Sequence, residues 1–553
     1  MFLNLISKFK GNKKINCLLI IPPLLEPATF YTATPILTGQ LINNGFNAKN
    51  LDLNIRFFRT ILTKKYIKQT KKLLDKKNIN YDKSRTEFLI NNIATAIERY
   101  KIDTNRDEDY YNSKKIIEET LELISLPYSN FNLKKLNGFE DCFNHQNNNF
   151  QYIRNISTNK ENNIFYPFFE KIVEEIKKQK INFIGITIPF PGTIIPAFTL
   201  AKLLKEKTKT HITIGGNFLK EEHILNHPEI LDIFCDSVLL GDGEESITEL
   251  VKAVENHQNL ENVQGLIYKK DNKVYLNKNQ AITKMENLAN ISLEGINFDD
   301  YLLEYPHIYI MMSKGCYWGK CTFCALGPKY KKYSTKTPQK VVSQIKEIKR
   351  KYNITKNCFH FQDDAIHPNY LEKLANEIIK EDLNIYYVIF ARFEKEFTRE
   401  LFEKLYKSGL RAIYWGLESG SQSVLNRMNK GINIENIPKI LKDAHEVGIT
   451  NMAGIIVNFP TETMNEYNET INFLETVKDF VTISPGNFAV MKNSIVEQNS
   501  KEYGIEILSY NEFDYCPEWK DKNISQELRL KRWKHFCECV QSGNFSIDTN
   551  KHL

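Results

Sequence analysis

Met312-Ser-Lys-Gly-Cys316-Tyr-Trp-Gly-Lys-Cys321-Thr-Phe-Cys324 is the stretch on which the reading of this chain turns. Three cysteines fall within nine residues, with four residues and then two between them. Thiolates this dense call for a bound metal, and iron or zinc are the usual occupants. Structural zinc takes four protein ligands. Here the count stops at three, since His307 and His360 are the nearest histidines along the chain and Cys358 lies far off. Three thiolates suit a four-iron, four-sulfur cluster with one iron left open for a small molecule. Two other readings stay open on the residues alone: zinc in a non-enzymatic scaffold, and core cysteines that bind nothing.

The motif sits at the start of a regular series. Ile308–Met312 reads as a strand, with the cysteine loop directly after it. Val341, Ile345, Ile348 and Tyr352 then share one helical face. Further strands are expected at Cys358–Gln362, Tyr386–Phe390, Ala412–Trp415 and Asn451–Val457, with a last one near Val481–Val490, and helices between them. Six strands in such a series predict a partial βα barrel over 308–490. Where the strands end, Asp363, Asp364, Arg392, Glu418 and Glu462 recur beside the cysteines. That face of a βα barrel carries the chemistry.

Upstream, residues 1–255 read as a second α/β domain. Ile15–Ile21 is an apolar run stopped by Pro22-Pro23, and the alternation resumes after about residue 165 with strands at Asn182–Ile188, His211–Ile214 and Val238–Leu240. Strands alternating with helices imply a parallel sheet wound on both faces, a Rossmann-like binder of small molecules. Glycine turns, Gly215-Gly216-Asn217 and Gly241-Asp-Gly243-Glu244, follow the strands, where backbone can approach a ligand. Neither is a GxGxxG with an acidic residue at the dinucleotide distance, so a nicotinamide or flavin site has little support. Residues 55–165 break the pattern and read as a helical insertion, whose Lys64–Lys77 run is a solvated helix face. Residues 256–307 read as a linker with a hairpin at Leu266–Lys269 and Lys273–Leu276, and 491–553 as a helical extension.

Length and composition agree. The 553 residues exceed one ordinary core, and 34 Phe with 27 Tyr can fill several. A net charge of +7 is too mild to argue for nucleic acid. Ten cysteines, seven of them dispersed, make no disulfide framework and favour a reducing cytoplasm. No run of about 18 apolar residues predicts a transmembrane helix. The apolar start at residues 2–9 leaves a weak peripheral membrane contact open.

Lys314–Cys324, Gly416-Leu-Glu-Ser-Gly-Ser-Gln422 with Leu425, Met428, Lys430 and Gly431, and Gly454-Ile-Ile-Val-Asn-Phe-Pro-Thr-Glu-Thr463 closely resemble radical S-adenosylmethionine (SAM) enzymes. The order of Pro22-Pro23, Leu41-Ile-Asn-Asn-Gly45, Asp52-Leu-Asn54 and the two glycine turns resembles their cobalamin-binding subclass. The resemblance implies that Cys316, Cys321 and Cys324 hold a [4Fe-4S] cluster whose open iron chelates SAM, which breaks to a 5′-deoxyadenosyl radical. It also implies SAM contacts from Phe323, Asp363 or Asp364, Arg392, Glu418, Gly454 and Asn458. Asp363 or Asp364 would hold the methionyl ammonium and Arg392 the carboxylate. Cobalamin would lie against Thr187, Gly215, Gly216, Asn217, Gly241, Gly243 and Glu244.

Three departures stand out. The family's commonest spacing leaves three residues between the first two cysteines, against four here. Asn458 stands where the family often has Gly. No histidine precedes His145, so the cobalt-binding His of many cobalamin domains is absent from the loop after the first strand. The resemblance points to a cobalamin-dependent C-methyltransferase acting on a ribosomal peptide or natural-product precursor, one SAM methylating cobalt and a second supplying the radical. The electron donor would be a flavodoxin or ferredoxin. The alternative within the family is a cyclase, rearrangement or other oxidation without methyl transfer. Cys516, Cys537 and Cys539 in the tail read as plain thiols rather than a second cluster, and Trp519, Trp533 and Phe536 as closing the barrel mouth.

Overall fold

The structure is a computed structural model and describes residues 15–102, 108–133, 149–278, 283–303, 307–325, 333–354, 358–543 and 545. The apolar start at residues 2–9 lies outside them. The chain divides into two compact units, one of residues 1–283 and 287–306, the other of 284–286 and 307–553.

In the first unit, strands β1 (Asn16–Ile21), β2 (Asn47–Asp52), β3 (Phe183–Thr187), β4 (His211–Gly215) and β5 (Ser237–Leu239) are joined by β6 (Leu266–Lys270) and β7 (Lys273–Leu276). They form one sheet in the order β2-β1-β3-β4-β5-β6-β7. The first five pair in parallel, and β6 and β7 are antiparallel. The run Cys17–Ile21 is fully buried, as a parallel strand covered on both faces must be. The chain runs from β1 out to β2 and then returns to the other side of β1, so the topological switch lies between β1 and β3.

The insertion is helical where described, at Leu53–Ile61, Lys64–Lys76, Lys83–Ile102, Glu108–Ser125 and Phe150–Thr158. In Lys64–Lys76 the buried residues are Ile67, Thr70 and Leu74, so its lysines form the solvated face. The hairpin expected within a linker forms, and it extends the first sheet. The stretch after it is also part of this unit. Asn50 Nδ2 donates to the Ser292 and Glu294 carbonyls, and the Tyr301 hydroxyl donates to Asp52 Oδ2 at 2.6 Å. Asp52, which also caps the helix Leu53–Ile61, is thus a buried structural carboxylate.

In the second unit, β8 (His307–Ile310) leads to a two-residue ladder of β9 (Ser313–Lys314) with β10 (Ser334–Thr335). Then β11 (Cys358–Phe361), β12 (Tyr386–Ala391), β13 (Leu410–Glu418), β14 (Thr450–Val457) and β15 (Thr482–Asn487) follow with helices between them. The six-stranded sheet β15-β14-β13-β12-β11-β8 is parallel throughout, the partial barrel that the sequence predicts. Alternation along the strands separates two faces. Ile308, Ile310, Phe359, Phe361, Tyr387, Ile389, Ile413 and Trp415 are buried, while Tyr309, His360, Phe390 and Tyr414 on the other face keep part of their surface.

The tail is not purely helical. Besides helices Ile495–Gln498 and Gln526–Ser542 it carries an antiparallel pair, β16 (Ile505–Ser509) with β17 (Glu518–Asp521). Charged residues interrupt both short strands, so their alternation is weak in the sequence.

One glycine controls entry into the central strand. Gly409 has φ +110, and a Cβ there would come within 1.9 Å of the Ile385 carbonyl oxygen. Gly543 is also left-handed, at φ +64, but faces open space. Gly409→Ala should therefore cost at least about 1–3 kcal/mol and lower the melting temperature of the barrel by several degrees. Gly543→Ala should cost only the conformational penalty, about 1 kcal/mol. Calorimetry of the two variants side by side checks this.

Candidate active site

The cysteine loop is anchored where the strands end. After β8 the backbone N–H of Met312 donates to Asp363 Oδ1 at 2.9 Å, the Ser313 N–H donates to the same oxygen, and the Ser313 hydroxyl does so at 2.8 Å. Left-handed Gly315 and Gly319 then turn the chain through the loop. At the far end the Thr322 N–H donates to the Met428 carbonyl at 2.9 Å and its hydroxyl to the Arg427 carbonyl at 3.1 Å. The Val496 N–H of the tail donates to the Thr322 carbonyl. Cys316, Cys321 and Cys324 are reduced thiols, each half-buried. Burial pushes the Cys321 thiol up, and nearby Lys430 and Arg392 pull it down. Among the described residues no three Cys, His, Asp or Glu side chains converge tightly enough to hold a single metal ion.

Two residues in the lengthened gap make defined contacts. The Tyr317 hydroxyl donates to Glu394 Oε1 at 2.7 Å, and Arg392 Nε donates to the same oxygen at 3.1 Å. The Arg392 guanidinium lies 4.3 Å from the Trp318 ring centroid. Arg392 is only 4% exposed, yet its Nη1 and Nη2 have no hydrogen-bond partner among the described residues. Buried guanidinium nitrogens are costly without an acceptor, so this edge is built to meet an anion. Trp318, Tyr317 and Glu394 escape a reading of the sequence because loop residues carry no periodic signal and their partners are remote in the chain.

The two aspartates differ in what they can offer. Asp363 is buried, and its Oδ1 is occupied by the Met312 and Ser313 bonds, which makes it a loop anchor. Only its Oδ2 lacks a partner among the described residues. Asp364 is exposed at the same strand end. Glu418 has a left-handed φ of +71 and pairs with Lys430 Nζ at 2.7 Å, both side chains largely buried. Asn458 is also left-handed, φ +65. Its N–H donates to Glu462 Oε2 at 3.0 Å, and its Nδ2 reaches Asn487 Oδ1 and the Arg529 carbonyl, each at 3.0 Å. Non-glycine residues held in this conformation at two adjacent strand ends mark strain kept at a site. Gly454 is half-buried and in register with Gly416. It leaves room for a flat group, since a Cβ there would meet nothing closer than the Trp415 carbonyl oxygen at 3.8 Å.

Phe323 packs against the cluster of Val424, Met428, Phe459, Phe488 and Val496, with Trp519 of the tail on the same cluster. The tail is tied down further by Arg532, whose Nη1 donates to the Glu462 carbonyl at 3.0 Å and lies 3.8 Å from its carboxylate. Cys539 is buried with its Sγ 3.7 Å from His535 Nε2, and Cys516 contacts Met491.

In the first unit, Thr187, Gly215–Asn217 and Gly241–Glu244 lie at the carboxyl ends of β3, β4 and β5. Thr187 and Gly215 are direct neighbours in register. Gly216 has φ +114, and a Cβ there would meet the Ile188 backbone at 2.5–2.8 Å, so close chain approach already demands glycine. Gly216, Asn217 and Gly241 are exposed, whereas Glu244 is buried in the first turn of the helix Gly243–Glu255.

Two buried carboxyls tie stability to pH. Burial pushes Glu462 up to about 7, opposed by Arg532 and the Asn458 N–H. Burial likewise pushes Asp363 up to about 7, against its bonds from Ser313 and Met312. Both hold protons more tightly folded than unfolded, so the stability they contribute is full below about pH 4 and lost as pH rises through about 7. Glu462→Gln and Asp363→Asn should each flatten the fall in urea midpoint between pH 5 and 7.5. A wild-type slope unchanged in both variants would contradict this.

Residues 310–474 match the model of the radical SAM superfamily. An uncharacterized methyltransferase of Pyrococcus horikoshii is 25% identical over 356 residues, 61% of this chain and 75% of the relative. The anaerobic magnesium-protoporphyrin IX monomethyl ester cyclase of Rubrivivax gelatinosus is 26% identical over 318 residues, and the chain spans only 55% of its length. Among solved structures, the radical SAM methyltransferase TsrM from Kitasatospora setae aligns with a TM-score of 0.55 at 13% identity, covering 90% of this chain and 81% of TsrM. The cobalamin-dependent radical SAM enzyme OxsB aligns with a TM-score of 0.60 at 14% identity, covering 96% of this chain and 71% of OxsB. At these identities the likeness is one of fold. Among the described residues no helix is long and apolar enough to cross a membrane. The barrel matched at 310–474 is a radical SAM domain, and the chain that carries it is an enzyme.

Proposed function

We infer that this enzyme is a cobalamin-dependent C-methyltransferase that uses a [4Fe-4S] cluster and SAM. The observation that carries the reading is the strand-end constellation: three half-buried thiols on a doubly anchored loop, with the bare edge of a buried guanidinium beside them. Soft thiolate donors suit iron–sulfur ligation, and a planar N–H fork suits a carboxylate. In this reading Cys316, Cys321 and Cys324 hold the cluster, and Arg392 takes the SAM carboxylate. Asp364, exposed beside the loop, is better placed than the anchored Asp363 to receive the ammonium. Glu418, Gly454 and Asn458 border the remainder of SAM along β13 and β14. Phe323 is only partly buried against the cluster behind the loop, which leaves part of its ring to pack on the adenine.

When bound, these groups supply a hydrogen-abstracting radical and a transferable methyl group. The protein's own part is to orient and to exclude water. Rings that keep part of their surface line the open face of the barrel sheet: half-buried Tyr309 and His360 lie 5.1 Å apart, and exposed Phe390 stacks on Tyr414 at 5.0 Å. Burial holds the His360 imidazole neutral, pushed down to about 3. An uncharged, aromatic wall favours a substrate with an apolar or ring-bearing body, a peptide side chain or a natural-product precursor.

Cobalamin is assigned to the first unit, on the exposed edge at Gly216, Asn217 and Gly241, with Thr187, Gly215, Gly243 and Glu244 around it. TsrM carries cobalamin with its [4Fe-4S] cluster and OxsB carries cobalamin with SAM, which supports the assignment. The loop after β1 has no histidine to ligate cobalt from below. A reduced electron carrier such as flavodoxin or ferredoxin would feed the cluster.

Reconstituted anaerobically with SAM, cobalamin, a reductant and its substrate, the enzyme should form both 5′-deoxyadenosine and S-adenosylhomocysteine. Liquid chromatography with mass detection reads both. Deoxyadenosine without homocysteine would replace methyl transfer with a cyclisation, rearrangement or other oxidation.

A further inference from the structure

The four-residue gap between Cys316 and Cys321 holds Tyr317, Trp318, Gly319 and Lys320, and its two aromatic rings turn onto one guanidinium. Trp318 is fixed from the opposite side as well. Its indole N–H donates to the Asn429 carbonyl at 2.8 Å. Its ring lies over Gly431, where a Cβ would come within 2.2 Å, and Gly431 itself is left-handed with φ +69. The indole is therefore wedged between the turn after the helix Gln422–Arg427 and the face of Arg392.

Glu394 holds the guanidinium by its Nε edge, and Tyr317 holds Glu394. With one face against the indole and one edge on a carboxylate, only the Nη1–Nη2 side is left. Those two nitrogens are buried and without a partner among the described residues. A guanidinium held in plane loses little freedom when it pairs with a carboxylate, whereas a free arginine side chain must be ordered at that moment. A gap shorter by one residue would have to place the indole elsewhere, since both loop ends are pinned.

We propose that Trp318 is a positioning residue that holds Arg392 so that its Nη1–Nη2 edge is set in advance to receive the carboxylate of SAM. The residue added to the cysteine gap is what carries the indole to that place. This rests on the assignment of the cluster and SAM to the barrel given above.

The test uses the full chain, reconstituted anaerobically, with iron and acid-labile sulfide measured before each titration. SAM binding is read from the change in the electron paramagnetic resonance signal of the reduced cluster. Decarboxylated SAM is the matched probe that lacks the carboxylate. Trp318→Ala should keep wild-type iron and sulfide and bind SAM at least about tenfold more weakly, the scale of a desolvated cation–π contact. Trp318→Phe, which keeps a ring on the guanidinium, should stay within about threefold. Decarboxylated SAM should bind wild type and Trp318→Ala alike.

Equal SAM affinity in wild type and Trp318→Ala would overturn the proposal. So would an equal loss of affinity for both probes, or loss of the cluster in Trp318→Ala, because each makes the indole a mere support of the loop. Wild-type protein with neither iron nor sulfide would bring down the cluster assignment itself, and this inference with it.

Discussion

The carboxylate of Asp363 sets the geometry on which the rest of the site depends. It stands at the exit of β11 and accepts the backbone N–H groups of Met312 and Ser313 at the exit of β8, along with the Ser313 hydroxyl. The neighbouring strand thereby dictates the direction in which the cysteine loop departs. The opposite end of the loop is held by Thr322 on the Arg427 and Met428 carbonyls. Between these anchors the thiols have little freedom, which is what a preformed ligand set requires. Leaving those N–H groups buried and unpaired would cost about 1–3 kcal/mol each, so the aspartate matters even if it never touches a ligand.

From this anchor the site spreads along the strand ends. Glu418 and Asn458, both in the left-handed region, are kept there by Lys430 on one side and by Glu462, Asn487 and the Arg529 carbonyl on the other. The tail helix Gln526–Ser542 contributes the last of these, and its Arg532 is buried against Glu462. Removing one partner of such a buried pair strands the other charge, at a cost of about 3–5 kcal/mol. The tail is therefore part of the barrel's working face.

The order of strands and helices is legible in the sequence because a parallel sheet needs apolar runs broken by glycine and proline, as in Cys17–Ile21 before Pro22. The cysteine spacing and the recurrence of polar residues after strands locate the candidate site. Other features are not legible. Asp363 and Asp364 look interchangeable in sequence, and only burial and backbone partners separate the anchor from the exposed carboxylate. The tail strands Ile505–Ser509 and Glu518–Asp521 carry charges that hide their alternation. The stack of Trp318 on Arg392 joins residues more than seventy positions apart and follows no local rule. The segment Ser292–Tyr301 reads as a linker because its ties to Asn50 and Asp52 are equally remote.

The central claim is that Cys316, Cys321 and Cys324 hold an iron–sulfur cluster with one iron open to SAM. Metal and acid-labile sulfide analysis of the anaerobically purified chain, beside Cys321→Ala, tests it most directly. The account predicts iron and sulfide in [4Fe-4S] proportion, with a brown chromophore that the substitution removes. Stoichiometric zinc without sulfide in the wild-type protein would contradict it.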